Sequence, residues 1–281
     1  MNWQTSRRKL DLERPLVMAI LNVTPDSFSD GGKFADHDAA LKQAEKLIAD
    51  GADIIDIGGE STRPGSKKVP VNEEIARVVP IIEAITKRFD IPISIDTTKS
   101  EVAQAAIEAG AEIVNDISGL RFDEKIAAIV TKHKTGLVLM HSRGEFEEMH
   151  SQPPVEDIML DVADDFRRSL NIAQSSGVPD ECIALDIGIG FGKTLEQNLE
   201  LLAKLDKLGS EFDKYPMLAG TSRKSFIGKL LDEAPPTERL IGSLASVAIA
   251  IWNGAKIVRV HDVKETVEAL KIVSKVKNYS H

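Results

Sequence analysis

Residues 93–116 read ISIDTTKSEVAQAAIEAGAEIVND. A short β-branched run at 93–96 ends in a carboxylate. A segment at 100–109 with helical apolar spacing follows, closed by Gly110, and a second β-branched run at 113–116 ends in Asn115 and Asp116. The same alternation extends in both directions. Strand-like runs stand at 16–21, 54–57, 93–96, 113–116, 137–140, 183–186, 216–219 and 256–260, eight in all. Helices are expected at about 38–50, 72–89, 100–109, 124–133, 155–176, 195–208, 237–253 and 263–277. In the first of them Ala40, Leu41, Ala44, Leu47 and Ile48 fall at the i, i+3, i+4 spacing of a buried face. Asn72, Ser100 and Thr237 are placed to cap helices. Gly51, Gly110, Gly177, Gly209 and Gly254 each stand where a left-handed residue would end one. Four strands are almost continuously apolar, as expected when both sheet faces are covered.

Eight such alternations predict an α/β fold of the (β/α)₈ TIM-barrel type. A doubly wound open sheet is the alternative. The 281 residues carry no linker or composition shift, so one domain over 1–281 is expected, with residues 1–14 covering the barrel floor. The chain has 42% hydrophobic residues, enough for a large core, and a net charge of −9, which argues against general nucleic-acid binding. No apolar run approaches the roughly 18 residues of a membrane span, and residues 1–15 lack the apolar stretch of a secretory signal. A single cysteine, Cys182, excludes an intrachain disulfide and fits a reducing compartment.

Barrel enzymes place their chemistry at the carboxyl ends of the strands. Here those ends carry Asn22, the glycine-rich GGESTRPG, Asp96, Asn115 with Asp116, Met140 with His141, Asp186, GTSRKS, and Arg259 with His261 and Asp262. A lone Asp at a strand end is ordinarily a turn former; polar groups at all eight ends imply a common site. The loops 24–36 and 58–70, rich in Gly, Pro and hydroxyl residues, suit lids that exclude water, the alternative being plain surface loops. Arg63 within the second suggests an anionic or aromatic ligand. Arg259 and His261 alternate on one strand face and, with Asn22, suit a phosphate and a hard cation; a salt bridge from Arg259 to Asp262 is the structural alternative. Asp96, Asn115, Asp186 and Lys224 suit the edges of a flat heterocycle. Metal binding by Asp96 and Asp186 is a further option, without HxxE or CxxC spacing beside them. The string GIGFG at 188–192 lacks the remaining features of a dinucleotide loop.

Taken together, LNVTPDSFSDGG at 21–32, DIGGESTRPG at 56–65, SIDT at 94–97, VNDISG at 114–119, GTSRKSFIG at 220–228 and RVHDV at 259–263 resemble the dihydropteroate synthase family. The resemblance implies a cytoplasmic, homodimeric barrel that condenses hydroxymethyl-dihydropterin pyrophosphate with p-aminobenzoate, and that sulfonamides inhibit by mimicking the latter. It implies that Asp96, Asn115, Met140, Asp186 and Lys224 hold the pterin, that Asn22, Arg63, Arg259 and His261 hold the pyrophosphate, and that Asn22 binds Mg²⁺. Phe28, Thr62, Arg63, Pro64, Phe191 and Ser222 would shape the p-aminobenzoate side and the lids. Asp96, Lys224, Arg259 and His261 would carry catalysis, in a dissociative transfer with no obligatory general base. The family's Asp-Pro-Gly after strand six is here Asp186-Ile187-Gly188, which frees φ and adds an N–H. Two alternatives share the pocket: a pterin-dependent methyltransferase, which needs no pyrophosphate site, and a non-catalytic pterin-binding barrel.

Overall fold

The computed structural model describes residues 1–24, 32–63, 65–277 and 279, and for 32–36 the backbone alone. Its first two strands, β1 (Asn2–Gln4) and β2 (Lys9–Asp11), form an antiparallel hairpin. Eight parallel strands then close a barrel: β3 (Leu16–Asn22), β4 (Ile54–Gly58), β5 (Ile93–Asp96), β6 (Ile113–Asp116), β7 (Gly136–Met140), β8 (Ile183–Asp186), β9 (Met217–Ala219) and β10 (Ile257–Val260). They follow in sequence order, with β10 returning to pair with β3. The expected barrel is thus the fold, and the open sheet is excluded.

Around it lie α1 (Gly32–Ala49), α2 (Val71–Arg88), α3 (Ser100–Ala109), α4 (Lys125–His133), α5 (Ile158–Ser175), α6 (Leu195–Ala203), α7 (Leu205–Glu211), α8 (Ser225–Leu230), α9 (Leu240–Trp252) and α10 (Val263–Lys277). Side chains alternate across each strand. Val17, Ala19, Ile55, Ile57, Val114, Leu139 and Leu185 point outward into the core shared with the helices. Their inward neighbours Leu16, Met18, Ile54, Ile113, Val138, Ala184, Leu218 and Ile257 fill the lower lumen together with Trp3 and Leu12. The Trp3 indole N–H donates to the Cys182 carbonyl at 2.8 Å. The N-terminal hairpin therefore plugs the barrel floor, as expected, and the indole nitrogen it buries is satisfied.

Several local expectations are corrected. None of the three proposed caps operates. Asn72 lies inside α2, whose N-cap is Pro70. Ser100 is already helical, and its N–H is taken at 2.9 Å by the Asp123 carboxylate from the next loop, so the cap comes from across the fold. Thr237 sits in a 3₁₀ turn, Pro236–Glu238, ahead of α9. Side-chain caps form instead at Asp157, whose Oδ1 accepts from the Leu160 N–H of α5 at 3.0 Å, and in the reciprocal Thr194 and Gln197 box at α6. The single helix expected at 195–208 breaks at Lys204 into α6 and α7, and Gly209 lies within α7 instead of ending a helix. Gly51, Gly110, Gly177 and Gly254 do take positive φ. Helix α8 adds to the eight expected helices, its six residues being too few to show a period.

Candidate active site

The inward faces change character along the barrel axis. One inward position beyond the apolar plug, Ile54 is followed by Asp56, Ile113 by Asn115, Ala184 by Asp186 and Ile257 by Arg259. The rim is therefore built by the same alternation that fills the floor. Register aligns Asn22 with Gly58, Gly58 with Asp96, and Asp96 with Asn115, while Met140 lies beside Asp186. The residues expected for ring and tail thus gather at one mouth.

Arg259 is the hub. Its Nε donates to Asp56 Oδ2 and its Nη2 to Asp96 Oδ2, each at 2.6 Å. Asn115 Nδ2 donates to the same Asp56 oxygen at 3.1 Å. Asp262 is engaged elsewhere, by Arg223 at 3.0 and 2.5 Å, so the proposed Arg259 to Asp262 bridge is not formed. Burial raises Asp96 above the usual carboxylate range against the opposing pull of Arg259. Burial works against the charge on Arg259 too, but Asp56 and Asp96 outweigh it and hold the guanidinium charged. One cation shared by two buried carboxylates leaves an excess negative charge, which favours a proton or a positively polarised ligand edge. Asp56 escaped the sequence reading. Its signal was a carboxylate at an inward position of the otherwise apolar Ile54-Ile55-Asp56-Ile57.

Across the mouth, Asp186 is raised by burial, opposed by the Gly188 N–H that donates to its Oδ1 at 2.8 Å. Lys224 precedes α8, and its ammonium stands 4.0 Å from the Phe191 ring centroid. Burial lowers it to about 8, with Asp186 opposing. Phe191 packs with Ile117, Met140, Phe146 and Met149 in an apolar wall. Ile187, in the place of proline, is fully buried in the core, and the chain turns through positive φ at Gly188, Gly190 and Gly192. A Cβ at Gly188 would lie 1.8 Å from the His141 carbonyl oxygen, so only glycine fits there. Lys193, also missed, donates to the Gly188 and Phe191 carbonyls at 2.7 and 3.1 Å, and burial lowers it to about 7. It braces the loop that carries Phe191.

His261 Nδ1 faces Ser222 Oγ at 3.1 Å, joining a residue expected at the pyrophosphate to one expected at the aryl side. Burial lowers His261 to about 3, reinforced by Arg259, so the ring is neutral at pH 7 and serves as a hydrogen-bonding group. Arg63 is exposed on the β4–α2 loop, within electrostatic reach of His261. Thr62 is held through its carbonyl by His150 Nε2 at 2.6 Å. That loop is closed at its base by Lys99, which donates to Glu60, Glu74 and the Val69 carbonyl at 2.7, 2.5 and 2.8 Å. Phe28 and Pro64 lie outside the described residues, as do residues 25–31 of the loop expected at 24–36; its last five residues, 32–36, are not loop but the first turn of α1.

Among the described residues no three His, Cys, Asp or Glu side chains gather into a metal cage. A hard oxygen donor is nevertheless available at the mouth. A Cβ at Gly58 would lie 3.5 Å from Asn22 Oδ1 and 3.8 Å from Asp96 Oδ2, so both oxygens border the gap that glycine leaves. A site with one or two protein oxygens suits Mg²⁺, which keeps waters and takes its remaining ligands from substrate phosphates.

A closed barrel whose strand ends converge on a buried Asp, Asn, Lys and Arg constellation, beside an apolar wall, has the build of a barrel enzyme for a flat, polar-edged ring and an anion. The chain belongs to the pterin binding enzyme family, which matches residues 18–261. The dihydropteroate synthase of Bacillus subtilis (strain 168) is 48% identical over 266 residues, 95% of this chain and 90% of that protein. Among solved structures, the dihydropteroate synthase of Clostridium difficile in the presence of pteroic acid is 45% identical, with a TM-score of 0.88 over 94% of this chain and 97% of that one. That of Xanthomonas albilineans with 4-aminobenzoic acid is 40% identical, with a TM-score of 0.91 over 98% of each chain.

Proposed function

We propose that this barrel is a dihydropteroate synthase: it joins hydroxymethyl-dihydropterin pyrophosphate to p-aminobenzoate and releases pyrophosphate. The observation that carries the proposal is the pair of 2.6 Å bonds from Arg259 to Asp56 and Asp96. An anion-binding cation in contact with a ring-binding carboxylate puts tail and ring against one wall, with the reacting methylene between them. Relatives with the same fold that carry pteroic acid or 4-aminobenzoic acid support the reading.

In this mechanism Asp96 and Asp186 accept from N–H groups of the pterin edge, Asn115 meets the edge through its amide, Lys224 donates to its carbonyl, and Met140 packs on the ring. Arg259, His261 and Arg63 bind the pyrophosphate. Asn22 would hold Mg²⁺, which when bound supplies positive charge to the phosphate oxygens. The methylene to oxygen bond breaks, its electron pair leaving with pyrophosphate, and the amine nitrogen forms the new bond and gives its proton to solvent. A weakly basic aryl amine cannot drive the displacement, so rate comes from stabilising the leaving charge and the cationic methylene, the second through Asp96. Thr62, Phe191 and Ser222, with Phe28 and Pro64, bound the aryl side. The same side would admit sulfonamides.

The protein is further proposed to be a cytoplasmic homodimer. Ile241, Ile249 and Trp252 on α9 and Ile272 on α10 are exposed apolar side chains on two helices that pack together, a surface that a second copy would cover. The test of activity is pyrophosphate release by purified protein with Mg²⁺. Release is expected only when both substrates are present; no release while the pterin still binds would favour the non-catalytic barrel.

A further inference from the structure

We propose that His150, in the loop between β7 and α5, is a positioning residue that fastens the β4–α2 loop over the aryl side of the pocket; the inference rests on the transfer reading above. Both ring nitrogens face carbonyl oxygens of other loops, Nε2 that of Thr62 at 2.6 Å and Nδ1 that of Gly190 at 3.2 Å. A ring nitrogen that carries a proton donates to the carbonyl it faces. The ring also packs on Phe191, 5.1 Å between centroids and tilted by 31°, and Phe191 in turn receives the Lys224 ammonium. One side chain therefore touches the loops after β4 and β8 while belonging to the loop after β7.

His150 itself and two of its three partners, Gly190 and Phe191, sit on anchored chain. The adjacent Met149 is fully buried in the apolar wall. The Gly190 N–H is held by Asn198 Oδ1 of α6 at 2.7 Å, which fixes the peptide carrying the acceptor. The third partner is the loop of Thr62 and Arg63. Its base is pinned by Lys99, and its tip is braced internally by Ser66 Oγ donating to Ser61 Oγ at 2.9 Å. Among the described residues, what ties this loop to the wall opposite is His150 together with Lys68, whose ammonium lies 5.7 Å from the Phe122 and Phe146 centroids. Cation–aromatic contacts at that range set no fixed direction, whereas a hydrogen bond to a loop carbonyl does. His150 thus sets how far Thr62 stands from Phe191, and so the width of the slot between them. It touches no assigned reacting atom.

The test uses two variants. His150→Phe keeps a ring against Phe191 and removes the hydrogen-bonding nitrogens; His150→Gln returns an amide donor. With both substrates and Mg²⁺, the Phe variant should raise KM for p-aminobenzoate about tenfold, equivalent to about 1.4 kcal/mol. Its kcat should stay within about twofold of the wild type, the signature of lost positioning without lost chemistry. The Gln variant should recover part of the loss. In the unliganded proteins, amide hydrogen exchange over 61–66 should accelerate in the Phe variant and less in the Gln variant. Wild-type KM for p-aminobenzoate in the Phe variant overturns the proposal, and so does unchanged exchange over 61–66. Absence of turnover in the wild-type protein would instead fault the transfer reading, and the exchange comparison would still decide whether His150 holds the loop.

Discussion

Replacing Arg259 by methionine keeps much of the side-chain volume and removes the shared cation. The structure sets the size of the effect. Asp56 is wholly buried, the Asp96 side chain is 11% exposed, and both lose a 2.6 Å charge-assisted bond. Breaking a buried pair by removing one partner costs about 3 to 5 kcal/mol, since the remaining charge is left unpaired. For a chain of this size that corresponds to a melting temperature lower by roughly 10 °C. The deficit carries a pH signature. Without the guanidinium, Asp96 rises further above its unfolded value, so the folded variant takes up a proton that the unfolded chain releases. A raised carboxylate contributes stability in acid and loses it as pH climbs through the folded pKa. The gap between Arg259→Met and wild type should therefore be widest above neutrality and narrow toward pH 5, and adding Asp56→Asn to the variant should recover part of it. Calorimetric melts from pH 5 to 8 measure this. Turnover should fall about 30- to 1000-fold through lost stabilisation of the leaving charge. A melting temperature equal to wild type, or a deficit independent of pH, refutes the buried-pair reasoning.

Other consequences follow from the same geometry. Lys224→Ala should weaken pterin binding by about 10- to 100-fold, the loss of one bond to a charged group, measured by calorimetric titration; unchanged affinity removes Lys224 from the ring site. The buried His141, whose Nε2 donates to Asp161 at 3.1 Å, is lowered to about 4 by burial. It is neutral when folded and binds a proton when unfolded, so its contribution is present above about pH 6.5 and is lost on acidification toward 4, at up to about 1.4 kcal/mol per pH unit. In His141→Gln the melting temperature should fall less steeply over that range than in wild type. Gly188→Ala should cost at least about 2 kcal/mol and weaken pterin binding, because the new methyl meets the His141 carbonyl. Gly65→Ala, at positive φ but with no atom within 4 Å of the added Cβ, should cost no more than about 1 kcal/mol, and equal losses at the two sites would remove the steric argument.

The strand ends were legible because barrel position and residue type reinforce each other there. Asp96, Asn115 and Asp186 close short apolar runs, so period-two alternation and the rule that barrel chemistry sits at carboxyl ends select the same residues. Asp56 was not, since it lies one inward position short of a strand end and reads as part of the run. Lys99 and His150 act through carbonyl partners 30 to 88 residues away, and no local pattern encodes a carbonyl on another loop; Lys193 acts within its own loop, but only through the positive-φ turns at Gly188 and Gly190 that fold the carbonyls back onto it. The caps failed for the same reason: Ser100 is polar and well placed, yet Asp123 reaches its N–H from outside the helix. Breaks such as Lys204 answer to the packing of α6 and α7 against the barrel, a three-dimensional demand that a helical period read in one dimension averages away.

The most direct measurement is an experimental structure with a pterin and pyrophosphate both bound. The account predicts the ring enclosed by Asp96, Asn115, Asp186 and Lys224, with a phosphate oxygen in hydrogen-bond contact with Arg259. Either ligand at the opposite end of the barrel, for instance in the cleft of about 270 Å³ lined by Arg7, Arg8, Lys87 and Arg88, with the rim left unengaged, would contradict it.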